Sequence, residues 1–316
     1  MPINATRFSN SWFEDVHLAD KPYIVGKNNI VSQVNQSNSG WYAGGSNVTD
    51  STVFTNAMRR LYDGFGNLSV GTSTGATTYE IRLESTTSIV LDTATLIGHN
   101  FPDLTTTGTI TAKLKATDGT TTVQIADTQN VTSSSRLTFT HLYDAGGKQS
   151  YPQIITVSPV GTGPTPNVAR VFIEIENINS TTAIKPSAGE FWIGSRRAMK
   201  HAPNLPYDDK AESGLVSDFQ AQSGLTERYV RHRGRSSRVI AKSITDSTEL
   251  TEIEGAFDDS EDFTKPILWV ENPNTAPVAR IMLAESPTLS VPLQGPVERV
   301  FGVNLDELPP YRSSEG

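Results

Sequence analysis

The chain has 316 residues, a formal net charge of −8 and only 19% charged residues, and it contains no cysteine. That length accommodates two domains and an ample core without covalent staples. The missing cysteine excludes disulfides and thiolate metal sites, the mild acidity argues against a general nucleic-acid binder, and no apolar run approaches the roughly 18 residues that span a bilayer.

The opening stretch, MPINATRFSNSW, lacks a basic n-region and an apolar h-region, so the expectation is synthesis in a cytoplasm without membrane insertion. Residues 1–49 read as an N-terminal arm with lead-in strands, and a helical turn fits near 56–61. From there Thr and Ser dominate, and Thr, being β-branched, favours strands. In TTYEIRLES, Tyr79, Ile81 and Leu83 share one face, with Glu80, Arg82 and Glu84 on the other. In TITAKLKAT, Ile110, Ala112, Leu114 and Ala116 alternate with polar residues up to a turn at Asp118-Gly119. In ARVFIEIEN, Val171, Ile173 and Ile175 oppose Glu174 and Glu176. Shorter strands fit 89–97, 121–126, 136–142 and 190–193.

Strands this short and evenly spaced, with no long helix between them, predict an antiparallel jelly-roll β-sandwich over 50–197. The stretch AMKHAPNLPYDDKAESG then reads as a linker, 198–224. Residues 225–316 predict a smaller β-rich assembly domain with one helix. RYVRHRGRSSRVIAKS suggests a strand pair turning at Gly234. Asp246 with Glu249 forms a capping-box pattern, and Leu250, Ile253 and Phe257 make the apolar stripe of the helix. KPILWVEN, ARIMLAES and a last strand over 297–305 complete a mainly β protein.

Little in the chain points to catalysis. His17, His99, His141, His201 and His232 never fall at i,i+4, and HExxH, GxSxG and phosphate-loop patterns are absent. Gly71-Thr-Ser-Thr-Gly75 has no lysine after it and reads as a turn. The expectation is a non-enzyme with no catalytic residue, metal or cofactor.

Four polar or aromatic positions are candidates for sugar binding. His99-Asn100 closes a strand, where its side chains would tie down loop backbone or, alternatively, meet a ligand at the sandwich rim. Trp41-Tyr42 either packs within its own domain or offers a stacking platform for a host surface glycan. Trp12-Phe13, ahead of the first regular strand, is a candidate for docking on a neighbouring subunit.

Charge gives the other interface candidates. Arg228, Arg231, Arg233, Arg235 and Arg238 form a basic segment, with Glu252, Glu254, Asp258 and Asp259 in an acidic one. Two solvated faces would explain this, as would DNA contact by the arginines, which the overall acidity disfavours. The functional reading preferred here is complementarity between copies, which closes heterologous contacts into rings.

The run from Leu61-Tyr-Asp-Gly64 through Tyr79-Glu-Ile-Arg-Leu83 and Leu96-Ile-Gly-His-Asn100, to Val171-Phe-Ile-Glu-Ile175 and Gly189-Glu-Phe-Trp-Ile-Gly194, resembles the galactose-binding-like jelly-rolls, in which the last two would be paired closing strands. Taken whole, the chain is similar to virion structural proteins of tailed bacteriophages. Its C-terminal part, with Lys265-Pro-Ile-Leu-Trp269 after a helix and Phe301-Gly-Val-Asn-Leu305 as a closing strand, loosely resembles the ring-forming domain of distal tail proteins. The resemblance implies a virion protein, in the tail rather than the capsid, whose partners are copies of itself and other virion proteins. A carbohydrate-binding adhesion module and a capsid decoration protein are the alternatives.

Overall fold

The computed structural model describes residues 3–6, 23–25, 38–52, 61–62, 70–104, 108–119, 121–131, 136–143, 154–159, 168–178, 180–198, 208–220, 226–244, 247–260, 264–271, 278–290 and 299–308. The N-terminal region supplies β1 (Ile3–Thr6), β2 (Tyr23–Val25), β3 (Gly40–Ala43) and β4 (Ser46–Asn47). The central region supplies β5 (Val70–Gly71), β6 (Thr78–Ser85), β7 (Ile89–Leu91), β8 (Thr93–Ile97), β9 (Thr109–Thr117), β10 (Thr122–Gln124), β11 (Gln129–Asn130), β12 (Arg136–Phe139), β13 (Ile154–Val157), β14 (Ala169–Ile178), β15 (Ser187–Ala188), β16 (Glu190–Gly194) and β17 (Arg197–Ala198). The remainder forms β18 (Asp208–Gln220), β19 (Thr226–Ile244), helix α1 (Ser247–Asp259), β20 (Ile267–Glu271), β21 (Val278–Ser290) and β22 (Arg299–Glu307). The protein is mainly β, an antiparallel sandwich followed by a β-rich unit with one helix.

The largest sandwich sheet has the order β10-β9-β14-β6-β3-β4, with β11 also paired to β9. Its registry places side chains of like kind in rows. Val171 lies between Leu83 and Ala116, Ile173 between Ile81 and Leu114, and Ile175 between Tyr79 and Ala112. These rows form the inner face of one core, together with Trp41, and oppose Leu91, Ala94, Leu96, Phe139, Val157, Phe191 and Ile193 from the strands across. The period of two in the sequence is therefore a direct image of this buried face. At the edge, β3 turns into β4 through Gly44 and Gly45, both at positive φ (55° and 84°), the backbone a two-residue hairpin turn demands.

A three-stranded sheet, β12-β8-β16, closes the sandwich. Unlike the large sheet it has no solvent face: every position of β8 and of β16 is buried. Ala94, Leu96, Phe191 and Ile193 point into the sandwich core, whereas Ile97 and Trp192 point the other way. There they pack with Val25, Leu268, Val270, Ala279 and Ile281 of the C-terminal sheet, whose order is β17-β2-β20-β21-β22-β19-β18. The architecture is thus three layers, with β12-β8-β16 in the middle.

Several expectations change. The segment 89–97 is two strands in different sheets: β7 pairs with β13, β8 with β12 and β16. The jelly-roll closing strands are not paired with each other, since β14 joins β6 and β9 while β16 joins β8. The boundary at 197 cuts a sheet, because β17 and the N-terminal β2 both belong to the C-terminal sheet, with Tyr23 between Ala198 and Val270. Much of the expected linker is strand β18, whose polar, charged composition suits the edge position it holds. Gly234 makes no turn, because β19 runs through it without a break. The helix is where its period placed it, with Ile253 and Ala256 buried, although Asp246 lies outside the described residues, as do residues 56–60 of the expected turn.

Trp192 is wholly buried in the contact between middle layer and C-terminal sheet. Trp192→Ala is expected to cost about 3–5 kcal/mol. In scanning calorimetry the wild type should unfold in one transition that this substitution lowers as a whole; two separate transitions, one of them unmoved, would contradict the shared layer.

Candidate functional site

The large sheet carries its charges on the face turned from the core, and they are mutually paired. Lys113 Nζ donates to Glu176 at 2.9 Å and Lys115 Nζ to Glu174 at 2.7 Å, across β9 and β14. One strand further, Arg82 Nε donates to Glu80 at 2.5 Å, and its guanidinium lies 4.0 Å from the centre of the Tyr42 ring. Arg170 donates to Glu84 through Nε (3.0 Å) and Nη2 (2.5 Å), and Asn38 caps the other Glu84 oxygen at 2.7 Å. The hydrogen bond that it donates to Glu176 is the main cause that holds the Lys113 ammonium above its ordinary pKa. This face is a self-satisfied ionic surface.

The sugar-binding candidates are placed as structural residues. Trp41 is fully buried, donating its indole N–H to the Val70 carbonyl at 2.9 Å and meeting Tyr79 edge-on at 6.3 Å. Tyr42 is 8% exposed, beneath Arg82. The platform reading is corrected: β3, paired to β6, turns Trp41 into the core, and Tyr42, on the outer face, is covered by Arg82. His99 is buried too, stacked on Phe101 with ring centres 4.2 Å apart, and its Nδ1 accepts the Phe101 N–H at 3.4 Å. Burial pushes the imidazole down to about 3, so it is neutral at physiological pH. Asn100 accepts the Ser187 N–H at 2.8 Å. The pair ties the end of β8 to the 185–187 segment, which is the strand-end role and not a rim site.

A second polar constellation sits where sandwich, C-terminal sheet and helix meet. Asp92, at the break between β7 and β8, accepts the backbone N–H of Arg196 at 3.0 Å and its Nε–H at 2.6 Å, and both side chains are buried. The next residue, Arg197, reaches the helix instead, donating to Asp259 at 2.6 Å and lying 3.6 Å from Glu252. Gly255 makes room for it, since a Cβ there would sit 2.8 Å from the guanidinium carbon. On the far side, Arg136 of β12 pairs with Glu307 of β22, which also lies 3.7 Å from Arg280. These bridges had no periodic or motif signal; the only hint was the doubled arginine shortly after the Glu-Phe-Trp-Ile-Gly strand.

The interface candidates fall into two places. Arg228, Arg231, Arg233, Arg235 and Arg238 lie along β19. Of the acidic set, Glu254 and Asp258 are exposed on α1, whereas Glu252 and Asp259 are half-buried and engaged with Arg197, which corrects their assignment to an intersubunit face. Trp12 and Phe13 lie outside the described residues. Among the described residues no group of three or more His, Asp and Glu side chains is placed to hold a metal ion, and no helix is long and apolar enough to cross a membrane. No protein-family model, curated protein or solved structure matches the chain.

Glu252 and Asp259 are expected to behave oppositely on neutralisation. Burial, offset in part by Arg197, raises the Glu252 pKa above its ordinary 4.5. A carboxyl whose folded-state pKa is raised weakens the fold as pH climbs from its unfolded value through the raised one. Glu252→Gln should therefore gain stability at pH 7 and lose that advantage near pH 4, while Asp259→Asn should lose about 1.5 kcal/mol at pH 7 with its bond to Arg197. Urea unfolding at the two pH values measures both; a Glu252→Gln loss as large as that of Asp259→Asn would contradict this account.

Proposed function

We propose that the protein is a non-catalytic structural component of a tailed-phage virion, in the tail or baseplate, that assembles with copies of itself into a ring and docks neighbouring virion proteins. One observation carries the reading: among the described residues, the sandwich and the C-terminal unit pack on the two faces of one buried sheet. A body with two units joined through one sheet, and with the charges of its large sheet paired internally, suits a load-bearing subunit. The run of arginines along β19 and the acidic residues of α1, both on the C-terminal unit, support a place for the self-association. The resemblance of Leu96-Ile-Gly-His-Asn100, Glu190-Phe-Trp-Ile-Gly194 and the C-terminal strands to tail proteins supplies the setting. The glycan-binding alternative has lost its platform, because Trp41 is in the core and Tyr42 is buried beneath Arg82.

Electron microscopy of the purified full-length protein, and of particles bearing a gold-labelled copy, tests the proposal. Closed rings in isolation and label at the tail or its tip are expected. Dispersed single copies together with label spread over the head shell would overturn it in favour of capsid decoration.

A further inference from the structure

The buried residues of α1, Ile253 and Ala256, belong neither to the sandwich core nor to the contact between middle layer and C-terminal sheet. The helix rests on β17 and touches β19. A helix of 13 residues is marginal in water on its own, so what seats it decides how often it lifts.

That seat is built from charge. Arg197 of β17 lies against Gly255, between Glu252 and Asp259 on one face of the helix. One guanidinium serves two acids, and it divides unequally. Its Nε–H goes to Asp259 at 2.6 Å, while Nη1 stays 3.6 Å from Glu252, beyond a hydrogen bond. Asp92, whose charge is felt at Glu252, adds a third carboxylate, and Arg196 is already committed to it through its backbone N–H and its Nε–H. Three carboxylates thus share two guanidiniums. Among these five side chains Glu252 is the odd one, and its side chain is only 17% exposed.

The other charged residues of the helix, Glu249, Glu254 and Asp258, are acids as well, and β19 brings Lys242 in the stretch that leads to it. Asp258 and Asp259 stand in a last turn without a basic residue, where acids oppose the helix dipole. Burial raises the Glu252 pKa, Arg197 offsets this in part, and the charges of Asp259 and Asp92 add to it. A carboxyl that holds its proton more tightly when seated than when lifted favours seating in acid. It favours lifting as pH climbs from its ordinary 4.5 through the raised value.

We infer that α1 is a proton-sensitive latch: it sits firmly on β17 while Glu252 carries a proton, and it lifts more often, with both cores still closed, once that carboxyl is ionised. The latch needs no partner, so it stands or falls separately from the assembly role proposed above.

Amide hydrogen exchange of the full-length protein at pH 4.5 and pH 7.5, corrected for intrinsic exchange, tests it. The α1 amides should exchange faster than those of β8 at both pH values, and their protection should fall about threefold or more between the two. Glu252→Gln should abolish that fall and keep α1 at least as protected at pH 7.5 as in the wild type, with slow β8 amides showing that the variant is folded. Asp259→Asn, which removes the acid that Arg197 grips, should lower α1 protection at both pH values. Wild-type protection that is level with pH, or a fall that persists in Glu252→Gln, overturns the latch. So does exchange of α1 at the rate of β8, which would make the opening global, or α1 protection that Asp259→Asn leaves unchanged.

Discussion

Burial of both faces of the β12-β8-β16 sheet is the constraint on which the remaining architecture depends. A sheet with one wet face can end a domain; a sheet without one must be covered twice. The alternation Ala94/Leu96 inward and Ile97 outward, matched by Phe191/Ile193 inward and Trp192 outward, commits one short strand pair to two cores. Removing either cover would expose a Trp and an Ile on one side, or four apolar side chains on the other, at a cost of a few kcal/mol for the larger residues.

The polar structure follows from that arrangement. Because β7 and β8 belong to different sheets, the chain must break at Asp92, and the buried carboxylate left at the break is matched by Arg196 leaving β16. A buried pair of this kind stabilises little by itself, but removing one partner would strand a charge, so it fixes the geometry of the junction. Arg197, one residue on, points the opposite way and holds the helix. Two adjacent arginines thereby tie the β7–β8 break and the helix to one stretch of chain, and β2 and β17 carry the N-terminal part of the chain into the C-terminal sheet.

What was legible in the sequence depended on how many faces a strand buries. β6, β9 and β14 bury one, and their alternation read correctly to the residue. The helix was legible from its 3.6-residue stripe. Glu-Phe-Trp-Ile-Gly in β16 does not alternate, because it is buried on both sides, and period two has nothing to report there. The polar run in β18 read as a linker because an edge strand and a linker select the same residues. Gly234 read as a turn because nothing local distinguishes a glycine inside a strand from one that ends it. Among the candidate sites, Trp41-Tyr42 shows the same limit: an aromatic pair looks alike on a surface and in a core until the strand partner is known. The contacts of Asp92, Arg196 and Arg197 span up to a hundred residues or more of sequence, and no local pattern records them.

The functional account is built on the same body. A subunit whose two units cover the two faces of one sheet suits the structural role proposed for it. Amide hydrogen exchange in the intact protein tests the central claim, the shared sheet, most directly. If β8 and β16 tie both units together, their amides and those of β20 and β21 should exchange only by global unfolding, at one common and slowest rate. Exchange of β20 and β21 a hundredfold or more faster than β8 and β16 would show two units that open independently, and would contradict it.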